Sequence, residues 1–182
     1  ILDNLSGKDG VRVMLADEIA HDLMEPGTDC FEKIRKQFQM EDIWTDDGKL
    51  DRLKLAQVIF ADVEKRNLLN GIVHPAVKKY VIAEAEKERM EGKRKLLVLE
   101  AALLIEEHYD EICDELWYIY TSEENRAERL KTSRGYSMEK IKNIFDSQLK
   151  EEDYRKYCQV VIDNNGSIEQ TCREIDQALQ RE

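Results

Sequence analysis

Four apolar residues, Leu96-Leu97-Val98-Leu99, run without a break into Glu100, and a second largely apolar run closes on Glu106. The basic run Lys93-Arg94-Lys95 bounds the stretch on its other side. A short apolar run between charges predicts a strand buried on both faces, as in a parallel sheet covered by helices. Ligands of such sheets sit beyond the carboxyl ends of the strands. Glu100 then stands either at the lip of a site or as a cap of the turn that follows it.

The same reading predicts three further strands. Val11 to Leu15 alternates after the turn Gly7-Lys8-Asp9-Gly10, Leu116 to Tyr120 is rich in aromatic residues, and Gln159 to Ile162 is apolar before an Asp-Asn-Asn-Gly turn. Helical spacing fills the intervals. Ile1 to Ser6 reads as the tail of an amphipathic helix, and a helix begins at or just after Asp17. Cys30 to Gln39 and Leu50 to Phe60 are two more, separated by the turn Asp46 to Lys49. Another covers Asp62 to Ile72, and His74-Pro75 predicts a fresh start, because proline suits a first helical turn. Thr121 with Glu124 forms a capping-box pattern for a helix that ends before Ser133-Arg134-Gly135-Tyr136. Ser137 caps a helix with Ile141, Ile144, Phe145 and Leu149 on one face. Ser167 with Gln170 opens a last helix carrying Ile168, Ile175 and Leu179. Strands separated by helices point to a parallel-sheet α/β domain.

Two features carry candidate chemistry. Asp17 follows a strand, where it is either a helix cap or a ligand group, and His21, four residues on, shares its helix face. His21 reads equally as an exposed polar residue. The helices from Thr121 to Lys150 are more basic than their surroundings. Arg126, Arg129 and Arg134 near a glycine turn fit a mobile clamp over phosphates, or a hairpin with solvated arginines.

Composition narrows the classes. At 182 residues the chain suits one domain, with 42% hydrophobic residues for a core and 37% charged residues for its surface. A net charge of −11 argues against a general nucleic-acid or anionic-membrane surface, while leaving room for a small phosphorylated ligand held by local cations. Cys30, Cys113, Cys158 and Cys172 form no CxxC pair and read as thiols of a reducing compartment. No apolar run approaches the ~20 residues of a membrane span, and nothing resembles a signal peptide, so a cytoplasmic location is expected.

In order along the chain, several motifs resemble those of dephospho-coenzyme A kinases. Leu15 to His21 with Glu25-Pro26-Gly27 is similar to the family's "DADxIAR…EPG", and Asp47 to Arg52 to its "DGxLDR". Phe60-Ala61-Asp62 resembles "vFxD", Ile72 to Pro75 "lxHP", and Leu99 to Glu106 "DVPLLFE". Arg129-Leu130 through Gln148 looks like the family's lid, and Val161 to Ser167 like its closing "viDNxGs". The resemblance covers nearly the whole chain. It implies a P-loop kinase fold with a helical CoA-binding region and a helical lid, and ATP-dependent phosphorylation of the ribose 3′-hydroxyl of dephospho-CoA with Mg²⁺. It further implies Asp17 as the base and Arg129 and Arg134 as lid cations on the transferring phosphoryl group. Arg52, His74, Glu100 and His21 fall on the acceptor side, and Asn164 and Gly166 at the nucleotide. The partition that follows is a core of 1–25, 93–120 and 157–182, an acceptor region 26–92 and a lid 121–156. The expected partners are dephospho-CoA and ATP, with no nucleic acid and no membrane, in a monomer or weak homo-oligomer.

The chain departs from the pattern at four points. Leu15 replaces the first aspartate of "DAD", His21 stands where arginine is usual, and Glu100-Ala101 replaces Asp-Pro. The GxxxxGK[ST] loop that the family uses to cradle ATP phosphates does not occur in these 182 residues. By register Ile1 falls just after the place where that loop ends, so the first strand and phosphate loop are expected upstream of the sequence given. Two other readings stay in view: a catalytically inactive CoA- or nucleotide-binding protein, and a P-loop kinase of another small metabolite.

Overall fold

The computed structural model describes residues 1–180. Its elements are α1 (Leu2–Ser6), β1 (Val11–Leu15), α2 (Ala16–Leu23), α3 (Asp29–Gln37), α4 (Arg52–Ala61), α5 (Val63–Glu91), β2 (Leu96–Glu100), β3 (Trp117–Tyr120), α6 (Glu123–Arg134), α7 (Met138–Asp146), α8 (Glu151–Tyr157), β4 (Val160–Asp163) and α9 (Ile168–Ala178). Both strand pairs are parallel. β1 lies on β2 with Val11 opposite Leu96 and Leu15 opposite Glu100, and β3 lies on β4 with Trp117 opposite Val160 and Tyr120 opposite Asp163. The α/β class expected from the alternation is therefore present, as two two-stranded sheets among the described residues. Leu96 to Leu99 are half-buried, short of the burial on both faces that the apolar run predicts. A strand of a two-stranded sheet has a neighbour on one side only, so it lacks the cover of a central strand.

The chain divides into two compact units, Leu5–Ala102 and Ile1–Asn4 with the chain from Leu103 onward. In the first, α2, α3 and α4 each pack on α5. Phe31, Ile34, Phe38 and Ile43 are fully buried, and Trp44 sets its ring edge-on to Phe31 while its indole N–H donates to the Phe38 carbonyl. α5 is one helix of 29 residues with Pro75 inside it, where the sequence predicted a break at His74-Pro75. The reason is tertiary. Leu69, Val73, Val77 and Val81 recur every four residues and are all buried, so one apolar row crosses the proline and outweighs the single hydrogen bond that proline deletes. Arg12 of β1 reaches the same helix, pairing with Glu84 at 2.6 Å and Glu88 at 3.0 Å.

In the second unit β4 alternates cleanly: Val160 and Ile162 are buried, Val161 and Asp163 exposed. They meet Thr171, Ile175 and Ala178 of α9, which opens with the expected capping box of Ser167 and Gln170, although Ile168 is exposed. Three local expectations are corrected. Ser122, not Thr121, caps α6, accepting from Asn125 N, while Thr121 is buried. α6 continues through Ser133 and Arg134 to Gly135, whose left-handed backbone (φ 63°) ends it. α7 stops at Asp146, and α8, which the sequence reading did not predict, follows. All four cysteines are free thiols. No helix among the described residues is long and apolar enough to cross a membrane.

Candidate active site

In the unit Leu5–Ala102, β1 feeds directly into α2. Leu15 occupies the cap position without a side-chain hydrogen bond, so Asp17 is not the cap but an exposed carboxylate of the first helical turn, where the helix dipole favours negative charge. Leu15 faces Glu100 across the parallel ladder, which puts Glu100 at the same carboxyl end of the sheet. Glu100 is exposed as a residue, but partial desolvation of its carboxyl, and then the charge of Asp17, raise its pKa. The two acids therefore sense one another.

Asp51 caps α4 by accepting from Leu53 N and Lys54 N at 3.0 and 3.1 Å, which fixes Arg52 as the first helical residue. The Arg52 guanidinium donates to Glu25 Oε1 at 2.7 Å and approaches the His21 carbonyl at 3.5 Å. Arg52 thus joins the end of α2, the Glu25-Pro26-Gly27 turn and the start of α4. His21 is exposed on α2, and His74 is half-buried on α5, the helix against which α2 packs.

In the second unit, Arg129 of α6 donates from Nη2 to the Asn164 carbonyl at 2.7 Å. Beside that bond lies a cavity of about 380 Å³ lined by Asn125, Glu128, Arg129, Thr132, Ser133 and Asn165. The loop below it is tied on all sides. Asn165 Oδ1 accepts from Ser122 N at 2.8 Å and Asn125 Nδ2 at 2.9 Å, and its own N and Nδ2 donate to Asp163 Oδ1. Asn164 bonds Thr121 and Thr171 through its amide. Gly166 is a close approach: a Cβ there would collide with the Gln170 side chain, which caps α9 by accepting from Ser167 N.

The three arginines have separate fates. Arg129 holds the 163–167 loop. Arg126 is neither free nor fully solvated: its guanidinium lies 4.4 Å over the Phe145 ring and donates to Gln148 Oε1 at 2.8 Å, leaving a buried Nε without a partner. Arg134 is exposed at the end of α6, five residues from Arg129, where its hydrogen bond is the first cause of a lowered Tyr136 pKa. Asn125 and Asn165 join the site although the motifs do not single them out. Their only sequence signal is the Asp163-Asn164-Asn165-Gly166 run, a turn chemistry that also predicts side-chain bonds to the backbone.

Chemically, the cavity offers amides, hydroxyls, one carboxylate and the Arg129 cation, a set able to hold an anionic ligand. Among the described residues no group of three or more His, Cys, Asp or Glu forms a metal cluster. A Mg²⁺ ion needs fewer, since it keeps several waters and binds through one or two carboxylates plus phosphates. The Glu100 carboxylate, at the carboxyl end of β2, is of the type that could hold such an ion together with phosphates.

The dephospho-CoA kinase family model matches residues 3–170. A dephospho-CoA kinase of Carboxydothermus hydrogenoformans is 36% identical over 172 residues, covering 94% of this chain and 82% of that protein. One of Listeria innocua is 33% identical over 180 residues, covering 99% and 89%. Among solved structures, the Thermus thermophilus protein TT1252 superposes with a TM-score of 0.72 at 26% identity, covering 93% of this chain and 84% of that one. The chain belongs to the dephospho-CoA kinase family.

Proposed function

We propose that this protein transfers the γ-phosphoryl group of ATP to the ribose 3′-hydroxyl of dephospho-CoA, the last step of coenzyme A synthesis, in the cytoplasm and as a monomer or weak homo-oligomer. The observation that carries the reading is the placement of Asp17. It is an exposed carboxylate just beyond the carboxyl end of β1, with Glu100 beside it at the end of β2. Asp17 orients the acceptor hydroxyl and takes its proton as the bond to phosphorus forms. Arg52, whose position is fixed by Glu25 and the His21 carbonyl, and His74 belong to the acceptor side.

Arg129 and Arg134 neutralise charge on the transferring group, and the loop carrying Asn164 and Gly166 contacts the nucleotide. Arg129 donates to a neutral carbonyl, so its charge remains available to an anion. Glu100 and the phosphates would hold Mg²⁺, which would supply charge neutralisation on the transferring group. We assign 26–92 to acceptor binding, 121–156 to a lid, and 1–25, 93–120 and 157–182 to the core.

The test is ADP release by the full-length protein with ATP and Mg²⁺, in the presence and absence of dephospho-CoA. Dephospho-CoA-dependent release, with 3′-phosphorylated product, supports the reading. Tight binding of dephospho-CoA without any turnover would replace it with an inactive binding protein.

A further inference from the structure

α4 is apolar nearly all the way round, yet only one side is covered. Leu55 is buried and Val58 and Ile59 are half-buried where the helix packs on α5. Its opposite side carries Leu53, 79% exposed, and Phe60, 87% exposed, with Ala56 and Gln57 exposed between them. Leucine and phenylalanine seven residues apart lie on one helix face, and Arg52, Ala56 and Phe60 follow each other at four-residue spacing on that same face. An exposed apolar stripe thus starts at Arg52 and runs about 12 Å along the helix. Val63, 56% exposed, follows at the start of α5.

The order of chemistry along this face is cation, then apolar surface with a single amide. Arg52 stands at the end nearest α2. Beyond it the exposed face holds no charge through Gln57 and Phe60. Dephospho-CoA has the same order outward from its ribose: an anionic diphosphate, then a long uncharged pantetheine arm with a gem-dimethyl group and two amides. We propose that the Leu53–Ala56–Phe60 face of α4 is the docking strip for the pantetheine arm of dephospho-CoA, with Arg52 at its diphosphate end. The inference rests on the acceptor assignment above and adds to it the part of the substrate remote from the reacting hydroxyl. Remote contacts of this kind raise affinity for the whole acceptor and discriminate it from nucleosides that share its ribose.

The test uses the full-length protein and the double variant Leu53→Ser with Phe60→Ser, both at exposed positions, so the core is untouched. The apparent KM is measured for dephospho-CoA and for ATP, together with the affinity for adenosine, which carries the same hydroxyl without the arm, as acceptor or competitive inhibitor. Losing the apolar contact of both side chains is expected to raise the KM for dephospho-CoA on the order of tenfold or more, leaving adenosine, ATP and kcat unchanged. Inhibition by free pantetheine should weaken in parallel. An equal increase for dephospho-CoA and adenosine, or no change in either, overturns the proposal. So does an unchanged KM ratio accompanied by loss of self-association in sedimentation, which would give the stripe to a second copy of the chain. Absence of wild-type turnover of dephospho-CoA removes the acceptor reading itself and the strip with it, whereas normal turnover with an unaltered ratio removes the strip alone.

Discussion

Asp17 and Glu100 are two carboxylates at neighbouring strand ends with opposite demands on a proton. Asp17 serves as a base only when ionised, while partial desolvation and the Asp17 charge both favour the neutral form of Glu100. Asp17→Asn keeps the shape and removes the base. It is expected to lower kcat about a hundredfold or more, with ATP binding little changed. Near-wild-type turnover would take Asp17 out of the mechanism. Glu100 makes a separate prediction about stability. Its folded pKa lies above the ordinary 4.5, so the contribution of its neutral form is fully present below that value and is lost as pH rises through the folded pKa. Glu100→Gln cannot ionise and so escapes the loss. Its Tm should exceed that of the wild type at about pH 7, with the difference closing as the pH falls toward about 4. A constant offset across that range would mean that Glu100 is not desolvated in the fold.

Among the elements, α5 shows most clearly where local rules end. Pro75 removes the N–H that would bond the Gly71 carbonyl, yet the helix continues because Leu69, Val73, Val77 and Val81 bury one row across it. Pro75→Ala restores that bond and should raise stability to chemical denaturation by about 1–2 kcal/mol, the larger helical gain being offset in part by a freer unfolded chain. Lower stability would show that the proline-bent geometry is itself needed for packing. The four strands, Ser137 as a cap and the Ser167–Gln170 box were legible because each is written in consecutive residues. What was not legible depends on distant partners. Thr121 and Ser122 are adjacent hydroxyl residues, each three before a residue able to complete a cap. Asn164, far along the chain, bonds Thr121 while Ser122 caps α6. Likewise, the arginine cluster was visible as composition, but only the fold separates Arg129 on the Asn164 carbonyl from Arg126 on Phe145.

At the scale of the whole molecule, a chain of net charge −11 is expected to receive two polyanionic substrates. The overall charge opposes their approach, so binding draws on local cations and on contacts that charge does not govern. The candidate groups fall into different units: Asp17, Arg52 and the α4 stripe in Leu5–Ala102, and Arg129, Arg134 and the 163–167 loop in the chain beyond Leu103. Each substrate should therefore leave its own footprint in hydrogen exchange, because binding stabilises most the amides whose local opening would break the bound site. A non-hydrolysable ATP analogue is expected to slow exchange in the first turns of α6 and in 163–167, where Asn165 accepts from Ser122 N and Asn164 receives Arg129. Dephospho-CoA alone is expected to slow exchange in α2 and the first turns of α4, where Asp51 caps the helix that Arg52 begins. Exchanged footprints would reverse the assignment of donor and acceptor. A uniform slowing of both units by either ligand would mean that the two respond as one cooperative body, so that only the residue-level variants could tell which groups touch which substrate.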